Sequence, residues 1–327
     1  MTKYELREEI DFNGRKYFLQ TSHMQEEGRL LTSFFKNGAL FDRVEVDLTG
    51  EPSEDEIKAA TKNFHAENKR RFLLLLKAQE KIKSSIDHMA HLRVAQALFG
   101  RNLFVEAIQE AKEAIKNGCE NSEPYIIIGE SYYRLGEYEK ARKSVKMGIE
   151  VNPEYPDIHN LMGKIQLKME NCRGAIESFQ RAINLNIYYG EPYLNLAKAY
   201  VLNTILKQDY ELSRGLDEKV KQNLEKALQL DPRIDRRKID EAINLFNSKE
   251  YNDFIKVLDE ARLSTRLDMI DEIFLDLYLM TIHGGEEFRE EDIEKYLRKV
   301  LEVIDRNPTY ADGYNSLGTV SYTHLTL

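Results

Sequence analysis

Cysteine, tryptophan and proline are scarce in this chain of 327 residues. It has no tryptophan and only two cysteines. Two cysteines are too few for the disulfide framework that holds many small secreted domains together. Only 7 prolines occur, so long stretches are free to form uninterrupted helices. The longest fully apolar run, residues 72–76, is far shorter than the ~20 residues that cross a bilayer, and the amino terminus lacks the apolar core of a signal peptide. We therefore expect a protein of the reducing cytoplasm that does not insert into a membrane.

Basic residues are outnumbered by acidic ones. The formal net charge is −9, with 31% charged residues and a mean hydropathy of −0.54, which is typical of a soluble chain. An acidic protein repels phosphate backbones, so nucleic acid is not expected as a partner. Two short basic runs, at residues 69–71 and 236–238, fall in helical patterns, and we interpret them as solvated helix faces.

Sequence motifs that carry chemistry are missing as well. The chain has no glycine-rich phosphate loop, no nucleophile elbow and no His-Glu-x-x-His helix. His88 and His91 are spaced to share a helix face, but no third metal ligand accompanies them. Cys172 has no histidine nearby in sequence to activate its thiol. The sequence therefore predicts no catalytic residue, no cofactor and no metal, and a function other than catalysis; an active site within the first 50 residues is the alternative.

The first 50 residues carry strand and turn signals. Asn13-Gly14 and Asn37-Gly38 each lie between runs rich in strand-forming residues, and Asn-Gly suits a type I′ turn because both of its central residues need positive φ. We predict a four-stranded antiparallel meander, which needs a partner to cover one face. Ser53 and Glu56 form a capping-box pattern, so a helix over residues 53–84 is expected to provide that cover.

Small residues repeat with a fixed period through the middle of the chain. Ala107, Ala141 and Ala175 are spaced 34 residues apart, and a second small residue precedes each by 12 positions. That second column consists of Ala95, Gly129 and Gly163, and the same step leads on to Ala197. A period of 34 residues predicts an array of helical hairpins in which the small residues mark helix crossings.

The array has two irregularities. About 11 extra residues separate the helices of the fourth hairpin, near residues 209–217. Residues 307–320 match the opening of another repeat, but no second helix follows, and residues 321–327 depart from the pattern. We expect the array to end incomplete with an appended tail (the alternative is a natural cap), which would leave apolar surface for self-association. The predicted domains are a head at 1–50, a connecting helix at 51–87 and the array at 88–327.

These columns resemble the tetratricopeptide repeat family over about residues 88–320. The resemblance implies an α+β chain that is mostly α: a right-handed α-solenoid of helical hairpins, preceded by a small four-stranded antiparallel sheet and a long helix. It also implies a non-enzymatic scaffold or adaptor of bacterial type that binds a partner peptide or helix in the concave groove. Transferred to this chain by spacing, the groove positions are Glu123, Ile126, Glu130, Tyr133, Asp157, Asn160, Lys164, Leu167, Glu191, Leu194 and Lys198.

The groove positions also predict the chemistry of the partner. The family's two-carboxylate clamp uses basic and amide side chains, whereas Glu123 and Glu130 would repel a carboxylate, so a chaperone-tail adaptor is not expected. A protein or peptide with apolar side chains and one or two basic residues fits better. The alternative function is a regulatory sensor whose head binds a small ligand and relays that event through the array.

Overall fold

A computed structural model describes residues 2–50 and 52–261, together with the single positions Glu294, Arg298 and Leu301. The chain is divided into two compact units, with the boundary between Glu110 and Ala111. Apart from those three positions, the predicted last hairpin, the incomplete repeat and the tail at 321–327 lie outside the described residues. The domain limits at residues 50 and 87 stay predictions.

The amino-terminal residues form the predicted antiparallel meander. Its strands are β1 Thr2–Phe12, β2 Arg15–Met24, β3 Arg29–Lys36 and β4 Ala39–Asp47, paired in sequence order. Both Asn-Gly turns have positive φ at their two central residues: 52° and 75° at Asn13 and Gly14, and 52° and 80° at Asn37 and Gly38. These are the values that a type I′ hairpin requires, so the prediction from the Asn-Gly pairs is confirmed.

A long helix, α1 (Glu54–Ile82), packs on one face of this sheet. Its start is the predicted capping box, in which the Ser53 hydroxyl accepts from the Glu56 backbone N–H and the Glu56 carboxylate accepts from the Ser53 N–H. The ring of Phe72 lies 5.0 Å from that of Tyr17 and 5.4 Å from that of Phe34, centroid to centroid. Aromatic side chains thus fill the space between α1 and the sheet.

Eleven further helices follow among the described residues, ten of which form hairpins. They are α2 His88–Gly100, α3 Phe104–Lys116, α4 Glu123–Arg134, α5 Tyr138–Val151, α6 Pro156–Lys168, α7 Cys172–Leu185, α8 Gly190–Leu206, α9 Tyr210–Ser213, α10 Leu216–Leu230, α11 Arg236–Asn247 and α12 Tyr251–Glu260.

The small residues of the 34-residue period lie at helix crossings, as predicted. Ala141 and Ala175 are fully buried. A Cβ added to Gly129 would lie 2.4 Å from Cγ2 of Val145, and one added to Gly163 would lie 2.4 Å from Cε1 of Phe179. In the α4–α5 and α6–α7 hairpins the two helices therefore approach too closely for a larger residue at Gly129 or Gly163.

The fourth hairpin departs from the regular pattern. Some of its extra residues lengthen α8 to 17 residues, and others form the short helix α9. The insertion, expected as a connection between two helices, is therefore partly helical itself. Beyond it, α12 packs against α8, and Phe254 and Leu258 share a buried cluster with Leu194 and Val201. The second helix of the fifth hairpin therefore lies beside the first helix of the fourth.

Candidate partner-binding groove

A cavity of about 310 Å³ lies within the second compact unit, between side chains of α4, α6, α8 and α12. Seven of the eleven predicted groove residues line it: Glu130, Tyr133, Lys164, Leu167, Glu191, Leu194 and Lys198. The 34-residue period explains this convergence, because equivalent positions on successive first helices face the same side of an array.

One part of the cavity wall is apolar. Leu167 and Leu202 are half-buried, and Ile255 and Leu258 approach from α12. Tyr133 contributes an aromatic ring, and burial raises the pKa of its hydroxyl to about 12. This wall offers a site for an apolar side chain beside a polar rim.

Lys164 sits at the centre of the charged wall. Its Nζ lies 3.5 Å from Oε1 of Glu130 and 3.7 Å from Oε1 of Glu191, and 5.5 Å from the centre of the Tyr133 ring. Desolvation lowers the pKa of Lys164, but the carboxylates of Glu130 and Glu191 more than offset that effect, so its pKa is raised. Lys164 is therefore a cation held between two acids of the neighbouring first helices.

A second charge pair joins α8 to α12. Nζ of Lys198 lies 2.9 Å from Oδ1 of Asp259, and Nζ of Lys168 lies 4.0 Å from Oδ2 of the same carboxylate. Desolvation lowers the pKa of Lys198, and Asp259 opposes this shift only in part. The cavity thus contains paired charges of both signs, in contrast to the acidic groove that the residue types suggested.

The four other predicted groove residues lie outside this cavity lining. Ile126 packs against the buried cluster around Val145. Asn160 is buried; its Nδ2 donates to the Tyr189 hydroxyl at 3.0 Å, and its Oδ1 accepts from Nδ2 of Asn195 at 3.0 Å. Asn160 therefore ties α6 to α8 rather than facing solvent.

Glu123 and Asp157 form a separate acidic position at the first turns of α4 and α6. Burial raises the pKa of Tyr155 to about 12, and the charges of Asp157 and Glu123 and a hydrogen bond with Asp157 act in the same direction. Among the residues that the structure describes, neither carboxylate has an ion-pair partner. This position is thus acidic, with no matching cation among the described residues.

Reasoning from the sequence missed the residues that α12 contributes, namely Ile255, Leu258 and Asp259. A regular array is lined by first helices, and α12 is a second helix, so spacing gave no signal for it. The insertion after Ala197 marks the place where the array departs from its period. It does not specify which helix packs there.

Two buried histidines of the first compact unit hydrogen-bond to groups within that unit. His91 is buried, with Nδ1 2.8 Å from Oε2 of Glu110 and Nε2 3.0 Å from the Ser85 carbonyl oxygen. His65 lies between the Thr21 hydroxyl at 2.8 Å and the Glu8 carboxylate at 3.2 Å. This hydroxyl–imidazole–carboxylate line has the order of a hydrolase triad, but Thr21 is fully buried and offers no approach to a substrate.

Neither a metal-binding cluster nor a membrane-spanning helix occurs within residues 2–50 and 52–261. Within these ranges, no three or more His, Cys, Asp or Glu side chains gather as they would around a metal ion. Within the same ranges, no helix combines the length and apolar character needed to cross a bilayer.

A family of known repeats matches the regular part of the array. Residues 129–170, which include the glycine and alanine columns of α4 to α6, match the TPR repeat. This part of the chain carries a tetratricopeptide repeat. Such repeats typically act as non-enzymatic scaffolds for protein–protein interaction.

One curated protein is similar over part of the chain. The Sol locus transcriptional repressor of Clostridium acetobutylicum is 29% identical over 97 residues. This match spans 30% of the present chain and 29% of the repressor, so the chain spans less than a third of that relative's length.

Two solved structures are similar at low identity. The segment of MamA from Desulfovibrio magneticus RS-1 that runs from residue 41 to the end is 17% identical, with a TM-score of 0.42, and the match covers 62% of this chain and 98% of that segment. YrrB, described as a TPR protein with an unusual peptide-binding site, is 14% identical, with a TM-score of 0.38, and the match covers 73% of this chain and 96% of YrrB.

Proposed function

We propose that this chain is a non-enzymatic interaction scaffold that binds a peptide or helix of a partner protein along α4, α6 and α8. The observation that carries the proposal is the cavity of about 310 Å³, in which apolar side chains lie beside paired charges from separate helices. A concave, mostly preformed site with a few polar groups is the usual form of a recognition site.

Tyr133 and Leu167 are the expected anchors for an apolar side chain of the partner. Both line the cavity and keep part of their surface exposed, whereas Ile126 and Asn160 are engaged within the repeats. Aromatic and apolar groups near the centre of an interface usually supply most of the binding energy. The partner therefore presents at least one apolar side chain to this cavity.

A basic residue of the partner is expected at Glu123 and Asp157. These carboxylates lie at the amino-terminal turns of neighbouring helices, and their fields add near Tyr155. Glu130, by contrast, is already paired with Arg134 and Lys164 of this chain. The attraction for a basic residue is thus expected at the amino-terminal turns of α4 and α6, and the apolar site lies near the carboxyl-terminal ends of the same two helices.

The test begins with peptides selected from a random display library on the full chain. Tyr133→Ala should speed dissociation of the selected peptides. Tyr132→Ala is the matched control, because the adjacent Tyr132 ring instead packs near Lys112 and Lys140. Equal effects of the two substitutions would refute the assignment of Tyr133.

The charge assignment needs its own variant. Asp157→Lys should slow association and flatten its salt dependence, since rim charges act mainly on the encounter rate. The control is Glu150→Lys on the exposed side of α5. Selected peptides that lack basic residues, or association that is insensitive to Asp157→Lys, would contradict the proposed basic position.

A further inference from the structure

The strand β4 forms one edge of the four-stranded sheet, and that edge is exposed. Strand order places β3 on one side of β4 and no strand of the described sheet on the other. Leu40 and Val46 are 42% and 44% exposed, and in the described strands they are the exposed large apolar side chains. An exposed edge strand with apolar side chains favours pairing with another strand.

We propose that β4 pairs antiparallel with β4 of a second copy of this chain, with the two-fold axis at Val44. The two sheets then form one continuous sheet of eight strands. This contact lies outside the groove, so it does not depend on the proposed partner function. A two-fold contact of this kind is self-complementary, because each residue contact occurs twice.

The charges of Arg43 and Glu45 favour this register. On β4, Arg43 lies opposite Ser33 and Glu45 lies opposite Leu31, so both alternate with Val44 and share the sheet face away from α1. An axis at Val44 brings Arg43 of each copy opposite Glu45 of the other. Shifting the axis to Arg43 or to Glu45 instead brings like charges face to face, which is unfavourable.

Arg43 is exposed, and the known contact of Glu45 leaves room for the second copy. Glu45 accepts from Nη1 of Arg29 at 2.9 Å while its side chain stays 55% exposed. A carboxylate accepts several hydrogen bonds, so it can hold Arg29 and a second guanidinium together. On the opposite face, pairing brings the two Val44 side chains together and places Val46 opposite Asp42 and diagonal to Val44 of the other copy, which shields part of its exposed surface from water.

The oligomeric state of the full chain tests the proposal. Sedimentation velocity over a concentration series should show a species of twice 38.2 kDa that grows with concentration. Arg43→Glu and Glu45→Arg should each weaken the dimer about tenfold or more, because each places like charges opposite one another. The control is Glu5→Arg on the other edge strand, where Glu5 pairs with Arg7, and it should leave the dimer intact.

Mixing the two charge variants gives the decisive result and avoids dependence on one variant's folding. The Arg43→Glu copy then presents two acids to the two cations of the Glu45→Arg copy. The mixture should therefore dimerise at a protein concentration at which each variant alone is mainly monomeric. A double variant carrying both changes should also dimerise. A monomeric parent chain at every concentration, a dimer unaffected by the single changes, or a mixture that stays monomeric would each overturn the proposal.

Discussion

Gly163→Ala is a sensitive test of how closely the helices of one hairpin approach. The added Cβ would lie 2.4, 2.6 and 2.8 Å from three ring carbons of Phe179. Phe179 is fully buried on the facing helix, so its ring cannot move away into solvent. Contacts this short force a shift of the ring or of the helix backbone.

Two opposing effects set the size of the change. Replacing glycine by alanine in a helix interior stabilises it by about 1 kcal/mol. Overpacking a well-packed core costs about 1–3 kcal/mol, and the rigid ring places this site in the upper part of that range. Gly163→Ala should therefore destabilise the repeats by about 1–2 kcal/mol.

Urea unfolding followed by far-UV circular dichroism measures this difference. Arg181→Ala is the control, because Arg181 lies on the exposed face of α7 and the change should stay within about 0.5 kcal/mol. Phe179→Leu should relieve the crowding, so the double variant should cost about 1 kcal/mol less than the two single changes added together. A Gly163→Ala protein as stable as the parent chain would refute the close approach of α6 and α7.

Three further predictions concern other parts of the chain. Ala141→Leu should destabilise the repeats by about 1–3 kcal/mol in thermal unfolding, while Glu139→Leu, at an exposed site nearby, should be nearly neutral; equal effects would contradict the repeat register. Ser53→Ala should remove the hydroxyl cap of α1 and cost about 1 kcal/mol, measured by hydrogen exchange of its first turn, whereas unchanged exchange would contradict the capping box. Burial raises the pKa of Tyr133 and Tyr155 to about 12, so the unfolded chain releases these protons at lower pH than the folded chain and stability should fall as pH rises from about 10 to about 12. Phenolate absorbance compared between the parent chain and Tyr133→Phe or Tyr155→Phe isolates these two groups, and a difference that appears at about pH 10 without unfolding would contradict this.

Local chemistry in the sequence was sufficient to predict the sheet and the start of α1. Asn13-Gly14 specifies its turn because neighbouring residues alone decide which φ values are allowed. The Ser53–Glu56 cap likewise depends only on residues within one helical turn. The small residues at Ala141 and Gly163 could be predicted because the repeat places each at the same helix crossing.

The charge of the groove depended on contacts that spacing does not define. Glu130 looks like a free acid in the sequence, yet in the structure it faces Lys164, which comes 34 residues later on the next first helix. Asn160 occupies a groove position by spacing, yet its amide hydrogen-bonds to Tyr189 and Asn195 and leaves the surface. Position on a helix indicates which face a side chain occupies, whereas its partners depend on the rotation and distance of the neighbouring helix.

The sequence by itself therefore determined the strands of the sheet, the start of α1 and the regular hairpins. Turns and caps act within a few residues, and the 34-residue period acts between neighbouring repeats. Only the tertiary structure decided how the groove ends. The residues that follow Ala197 lengthen α8, α12 packs beside it, and Asp259 reaches Lys198 across 61 positions of sequence. That contact follows from the packing of apolar surfaces on α8 and α12, where Leu194 meets Leu258, and no periodic signal in the sequence encodes it.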